Sequence, residues 1–197
     1  MKATAEITPA AREIASDDAQ EQACAHLSRG TALIKSGQLT DAEGELRAAV
    51  ELDPTCAGAW VNLGGILLAK WQFQESVEAN RRAVEAQPDL GLAHFNQGLG
   101  LLCLGKAKAA VDCLSRAIAL DPKNGAAFFH LAPALEELGR TDEAQLCIAY
   151  AAELGYSPKP AEQEPLALIL ARKKKSTFAR PSTHAEEENR NGAAQSR

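Results

Sequence analysis

Three prolines, Pro54, Pro88 and Pro122, stand 34 residues apart, and each closes a similar phrase: AAVELDP, RAVEAQP and RAIALDP. A shift of 34 residues brings much else into register. Gly30, Gly64 and Gly98 align, with Ala132 next; Leu33, Leu67, Leu101 and Leu135 align, as do Ala49, Ala83, Ala117 and Ala151. Gly37, Gly105 and Gly139 share a place at which the second unit has Trp71. A fixed period of this length belongs to arrays of one supersecondary unit, in which each copy buries its apolar face only against its neighbours. Four units follow: Ala23–Cys56, Ala57–Leu90, Gly91–Asn124 and Gly125–Pro158.

Each unit reads as two amphipathic helices. In the second they run over about Ala57–Lys70 and Gln74–Gln87, with Trp60, Leu63, Leu67 and Leu68 at three- and four-residue spacing. A Gly or polar turn ends the first helix. Asp-Pro or Gln-Pro ends the second, because proline pushes the preceding residue out of helical geometry. The chain is rich in Ala and Leu and poor in β-branched residues, which favours helix throughout. Gly64 and Gly65 interrupt a helix, where each costs about 1 kcal/mol relative to Ala. Gly64 belongs to the repeat and lets the paired helix approach; Gly65 has no sister glycine, its place being held by Thr31, Leu99 and Pro133 elsewhere.

These residues resemble the tetratricopeptide repeat family: the 34-residue period, Trp60, small residues at Gly64 and Ala83, and Pro88 at the close. The resemblance covers about two thirds of the chain. His26 and His94 depart from the pattern at Trp60's position, Asn80 departs where a large residue is usual, and Tyr156 stands where proline would fall. It implies an all-α solenoid of stacked helix-turn-helix units, wound into a right-handed superhelix with first helices lining the concave side.

The ends are expected to differ. Residues 1–22 read as a flexible segment, within which residues 1–15 lack strong periodicity and read as frayed or weakly helical, with Ser16-Asp17-Asp18 able to cap the first helix. Residues 159–175 contain PLALILARKKK, which reads as a capping helix whose Leu166, Leu168, Ile169 and Leu170 cover the last unit. Residues 176–197 are polar and read as a disordered tail. Pro133, inside a first helix, is expected to kink it. The Arg172–Lys175 cluster reads as a solvated helix end, and Trp71 either as an exposed partner contact or as a ring packed on Phe73.

By the resemblance, one stripe of each first helix faces the groove: Cys24, Ser28, Thr31 and Lys35; Gly58, Asn62, Gly65 and Ala69; Leu92, Asn96, Leu99 and Cys103; Ala126, His130, Pro133 and Glu137. Asn62 and Asn96 lie in register, and an amide side chain can pair with both the N–H and the C=O of an extended peptide. In the family, asparagines at this place do so; an ordinary solvated side chain is the other reading. The candidate peptide-binding residues are Ser28, Thr31, Asn62, Gly65, Asn96, Leu99 and His130. His130 is either a pH-tuned contact or a polar wall residue. The family's clamp for C-terminal carboxylates needs Lys and Asn in one unit, Asn in the next, and Lys and Arg in a third; the matching places hold Cys24 and Ser28, Asn62, then Leu92 and Asn96, or, one unit on, Gly58 and Asn62, Asn96, then Ala126 and His130, so the cations are missing either way and that ligand class is not expected.

A net charge of −5 argues against a nucleic-acid partner. The opening MKATAEITPAAREIASDDAQ lacks an apolar core, and no run approaches membrane-spanning length, so a cytoplasmic protein without stable membrane insertion is expected. The cysteines, Cys24, Cys56, Cys103, Cys113 and Cys147, form no CxxC pair and read as buried small side chains in a reducing compartment. No metal site, cofactor or catalytic motif is evident, and an enzyme built within these units is not expected. The functional expectation is a scaffold that holds a protein or peptide segment in its groove. The alternatives are a self-assembling, homo-oligomeric scaffold or an accessory subunit to a separately encoded enzyme.

Overall fold

The computed structural model describes residues 9–158. They form eight α-helices: α1 (Pro9–Lys35), α2 (Leu39–Leu52), α3 (Ala57–Ala69), α4 (Phe73–Ala86), α5 (Gly91–Cys103), α6 (Ala107–Leu120), α7 (Gly125–Glu137) and α8 (Thr141–Glu153). No strand occurs among the described residues. The expected capping helix and polar tail lie outside the described residues. Consecutive helices pack in pairs, and α1, α3, α5 and α7 also touch in sequence, so the odd-numbered helices stand side by side along one face of an all-α solenoid.

The N-terminal end corrects one expectation. α1 begins at Pro9, so Ser16-Asp17-Asp18 lies inside the helix instead of capping it. Proline suits a first helical position, because its missing N–H has no partner there in any case. Among the residues whose burial is described, from residue 17 onward, Ala23 is the first buried one. α7 continues through Pro133, which is buried.

The period has a hydrogen-bond basis. At the end of each first helix, the carbonyl of Leu33, Leu67, Leu101 or Leu135 accepts the N–H five residues on, each at 2.9 Å. Closing that turn requires a left-handed residue, supplied by Gly37 (φ 79°), Gly105 (φ 71°) and Gly139 (φ 77°). The second unit uses Trp71 at φ 63°, which is 48% exposed and lies 5.8 Å from the Phe73 ring. The Trp71 ring thus packs on Phe73, as one of its two readings expected, and keeps about half of its surface exposed. A bulky residue in this region is strained by about 1–2 kcal/mol, more than one exposed ring contact returns. Trp71→Gly is expected to raise stability by about 0.5–1 kcal/mol. Trp71→Ala, which keeps the strain and loses the ring, should lower it; urea titration of both variants would expose the opposite order.

Two of the family departures have local explanations. Trp60 donates its indole N–H to the Pro54 carbonyl at 2.9 Å. His94, one unit on, donates its Nε2–H to the Pro88 carbonyl at the same 2.9 Å, so the imidazole preserves the bond. His26 has no preceding unit and lies 2.8 Å from Glu45 instead.

Within each pair, the repeat glycine admits one side chain from the second helix. A Cβ at Gly30 would lie 2.9 Å from Leu46, and one at Gly98 would lie 2.6 Å from Leu114. Beneath Gly64 the partner is Asn80, fully buried. Its amide donates to the Ser76 carbonyl at 2.8 Å, while Ser76 Oγ donates to the Gly64 carbonyl at 2.8 Å. The sister positions are Ala42 with Leu46 and Ala110 with Leu114. The second unit thus holds a polar pair where its neighbours hold an apolar one.

Candidate peptide-binding face

Placing first helices side by side puts residues spaced four, three and four on one continuous surface. On it the structure brings four of the candidate residues together. Asn62 donates its amide N–H to Thr31 Oγ at 3.3 Å, linking α3 to α1. Thr31 in turn donates to the Leu27 carbonyl at 2.8 Å, one turn back in its own helix. Across α3, a Cβ at Gly65 would lie 3.7 Å from Asn96 Nδ2 and would meet no other residue within 4 Å. The row Thr31, Asn62, Gly65, Asn96 therefore crosses three helices, with a gap in side-chain cover above Gly65.

The remaining candidates sit differently. Ser28 is exposed, and its hydroxyl donates to the Cys24 carbonyl of its own helix at 2.9 Å. Leu99 is half-buried and Leu92 is 52% exposed, which gives the α5 part of the surface apolar character. Asn96 is 8% and His130 5% exposed. The His130 ring lies edge-on to Phe95 at 5.9 Å and to Phe129 at 5.3 Å, so it is a buried member of an aromatic group rather than an exposed wall residue.

Sequence reasoning passed over that group. Leu27, Val61, Phe95 and Phe129 recur at the 34-residue period, one position before the asparagine place in the second and third units. The first three pack between units: Leu27 lies beneath Gly58, Val61 is 6% exposed against Ala83 and Ala93, and Phe95 meets His130 at 5.9 Å; Phe129 packs within its own unit, 5.4 Å from the Tyr156 ring. The period was the available signal, but it marks packing residues and lining residues alike.

Charge is held mainly away from this face. Lys70 bonds Glu43 at 2.7 Å, and Arg47 reaches Glu43 at 2.8 Å and Glu75 at 3.3 Å, tying α2 to the α3–α4 hairpin. Lys70 first, then Arg47, holds the Glu43 carboxyl below the usual carboxylate range. On the inner row the only cation named is Lys35, at one end; nothing there could neutralise a pair of carboxylates. Burial pushes the Cys56, Cys113 and Cys147 thiols up, which makes them poor nucleophiles. Among the described residues no group of His, Cys, Asp and Glu could hold a metal, and no helix is long and apolar enough to cross a membrane.

Comparison with known proteins agrees with the fold. Two family models, both described as tetratricopeptide repeat, match residues 27–91 and 91–124. Among solved structures, a crystal structure of MamA is 24% identical, with a TM-score of 0.63, covering 73% of this chain and 84% of that one. The AMB-1 MamA is 26% identical at a TM-score of 0.58, covering 66% of this chain and 76% of that one. At such identities the likeness speaks for the fold. Among curated proteins, none matches.

Proposed function

Residues 27–124 are tetratricopeptide repeats, and from that premise we propose that this chain is a non-catalytic interaction scaffold whose inner face grips an extended segment of a partner protein. The observation that carries the reading is the row Thr31, Asn62, Gly65, Asn96. Two amides stand on neighbouring helices beside a site without a side chain. Asn62 spends an N–H on Thr31, which orients its amide and leaves its carbonyl oxygen for a ligand N–H. Leu92 and Leu99 supply apolar contact on one side of the row. A peptide backbone laid across Gly65 would meet polar groups for its own donors and acceptors, and its sequence would matter mainly at the leucines.

The test is affinity purification from the native cell with the full chain and with Asn62→Ala/Asn96→Ala, followed by titration of whichever partner only the first retains. Each lost amide contact contributes about 1 kcal/mol, so the double variant is expected to bind about thirtyfold more weakly. Gly65→Leu, which fills the gap, should block the same partner. Equal affinity in variants whose circular dichroism matches the parent would end this reading.

A further inference from the structure

The seam between the first two units holds sulfur on both sides. Cys24 lies on α1, and Cys56 is the residue just ahead of α3. Both are free thiols; Cys24 is exposed rather than a buried small side chain, and Cys56 is half-buried. Where α3 starts, it leans on α1. A Cβ at Gly58 would lie 3.3 Å from Leu27 Cδ2, and Leu27 follows Cys24 by three residues, on the same side of the helix. Cys56 and Leu27 pack against one apolar cluster. The two thiols also act on each other through space. Burial pushes the Cys56 thiol up most, the Ala59 N–H pulls it back, and the nearby charges of Asp53 and Cys24 add to the rise. Cys113 and Cys147 are pushed up by burial and by a neighbouring acidic residue, with no second thiol involved. One and two units along, the places of Cys24 and Cys56 hold Gly58 and Leu90, then Leu92 and Asn124, so the pair belongs to the first seam alone.

We propose that Cys24 and Cys56 form an oxidation-controlled staple, a reversible disulfide that fastens unit one to unit two. Hydrogen peroxide meets exposed Cys24 first. The Cys24 sulfur attacks one peroxide oxygen, the O–O bond breaks, and the products are the Cys24 sulfenic acid and one water. The Cys56 sulfur then attacks Cys24 Sγ. The S–S bond forms, the S–O bond breaks, and the hydroxyl leaves with the Cys56 proton as a second water. Together the thiols give up two electrons and two protons, and one peroxide becomes two waters. Being held beside its target offsets the weak nucleophilicity of Cys56. A dithiol reverses the reaction. The staple reinforces a thin contact, since α1 packs mainly on α2 and touches α3 only over a short stretch.

The test uses the full chain, reduced, freed of reductant and treated with a small excess of hydrogen peroxide. It should lose two of its five thiols and yield a Cys24–Cys56 linked peptide on digestion. Its urea midpoint should rise by about 1 M, and dithiothreitol should reverse all three changes. Cys24→Ser and Cys56→Ser should each abolish the rise; serine suits the position ahead of a helix, so Cys56→Ser keeps α3. Cys113→Ser/Cys147→Ser should leave the rise intact. Three results would each overturn the proposal: Cys24 oxidised to a sulfinic acid while Cys56 stays a thiol, a bridge to another cysteine or to a second chain, or a linked chain no more stable than the reduced one.

Discussion

Gly98→Val is expected to destabilise the array by about 3 kcal/mol, while Gly44→Ala stabilises it by about 1 kcal/mol. Both replace a helical glycine, so helix propensity alone would have both improve. The difference lies across the helix. A Cβ at Gly98 would stand 2.6 Å from Leu114 Cγ and 3.4 Å from the Leu114 backbone nitrogen. Leu114 is fully buried, and the atom in the way is a branch point near its backbone, so it has no flexible end to swing aside. α5 must then move off α6, and α5 also contacts α3 and α4, so the displacement spreads into the neighbouring unit. Gly44 has nothing within 4 Å and lies on the open side of α2, where a methyl group only limits the freedom of the unfolded chain. Urea denaturation midpoints of the two variants should move in opposite directions. A Gly98→Val variant as stable as its parent would mean that the glycine does not set the helix separation.

The second large effect is a gain. Ser76→Ala/Asn80→Leu is expected to raise stability by about 3 kcal/mol. Asn80 is fully buried, and its Oδ1 has no hydrogen-bond partner. An unsatisfied buried acceptor costs about 1–3 kcal/mol, and a buried leucine in its place adds apolar contact. The pair Ala and Leu already occupies these positions beside Gly30 and Gly98, and those glycines leave the room it needs. Ser76 must change as well, since its hydroxyl would otherwise lose the Asn80 amide that bonds it at 3.3 Å. Removing the Ser76 bond to the Gly64 carbonyl leaves that carbonyl inside the α3 hydrogen-bond ladder. Thermal or urea unfolding decides the matter; a double variant less stable than the parent would show that the amide holds α3 and α4 in place better than packing does.

Much of the solenoid was legible before any coordinates. The second unit's helices were expected over 57–70 and 74–87 and are found at Ala57–Ala69 and Phe73–Ala86. The reason is the repetition: the glycine under Leu46, the leucine carbonyl that closes each first helix and the alanine carbonyl that accepts from Asp53, Gln87 or Asp121 recur because every unit solves the same packing problem. Asn62 and Asn96 were placed by register on adjacent helices, and α3 and α5 do pack together. Beyond register the sequence was silent. It gave no sign that Asn62 reaches Thr31, that His130 lies among Phe95 and Phe129, or that α1 starts at Pro9.

The division follows from what a period records. A period of 34 residues registers contacts that all units share, and these specified the helix pairs, their turns and their stacking order before any tertiary information. A residue that breaks the period has no sister to be compared with, so its role depends on the particular neighbours that folding brings near. His94 keeps a bond made elsewhere by Trp60, and Asn80 fills a leucine's space at the expense of an unpaired oxygen. Those outcomes were settled only by three-dimensional packing, because the energy of a side chain in a stacked array is set by the atoms across the interface and not by those beside it in the chain.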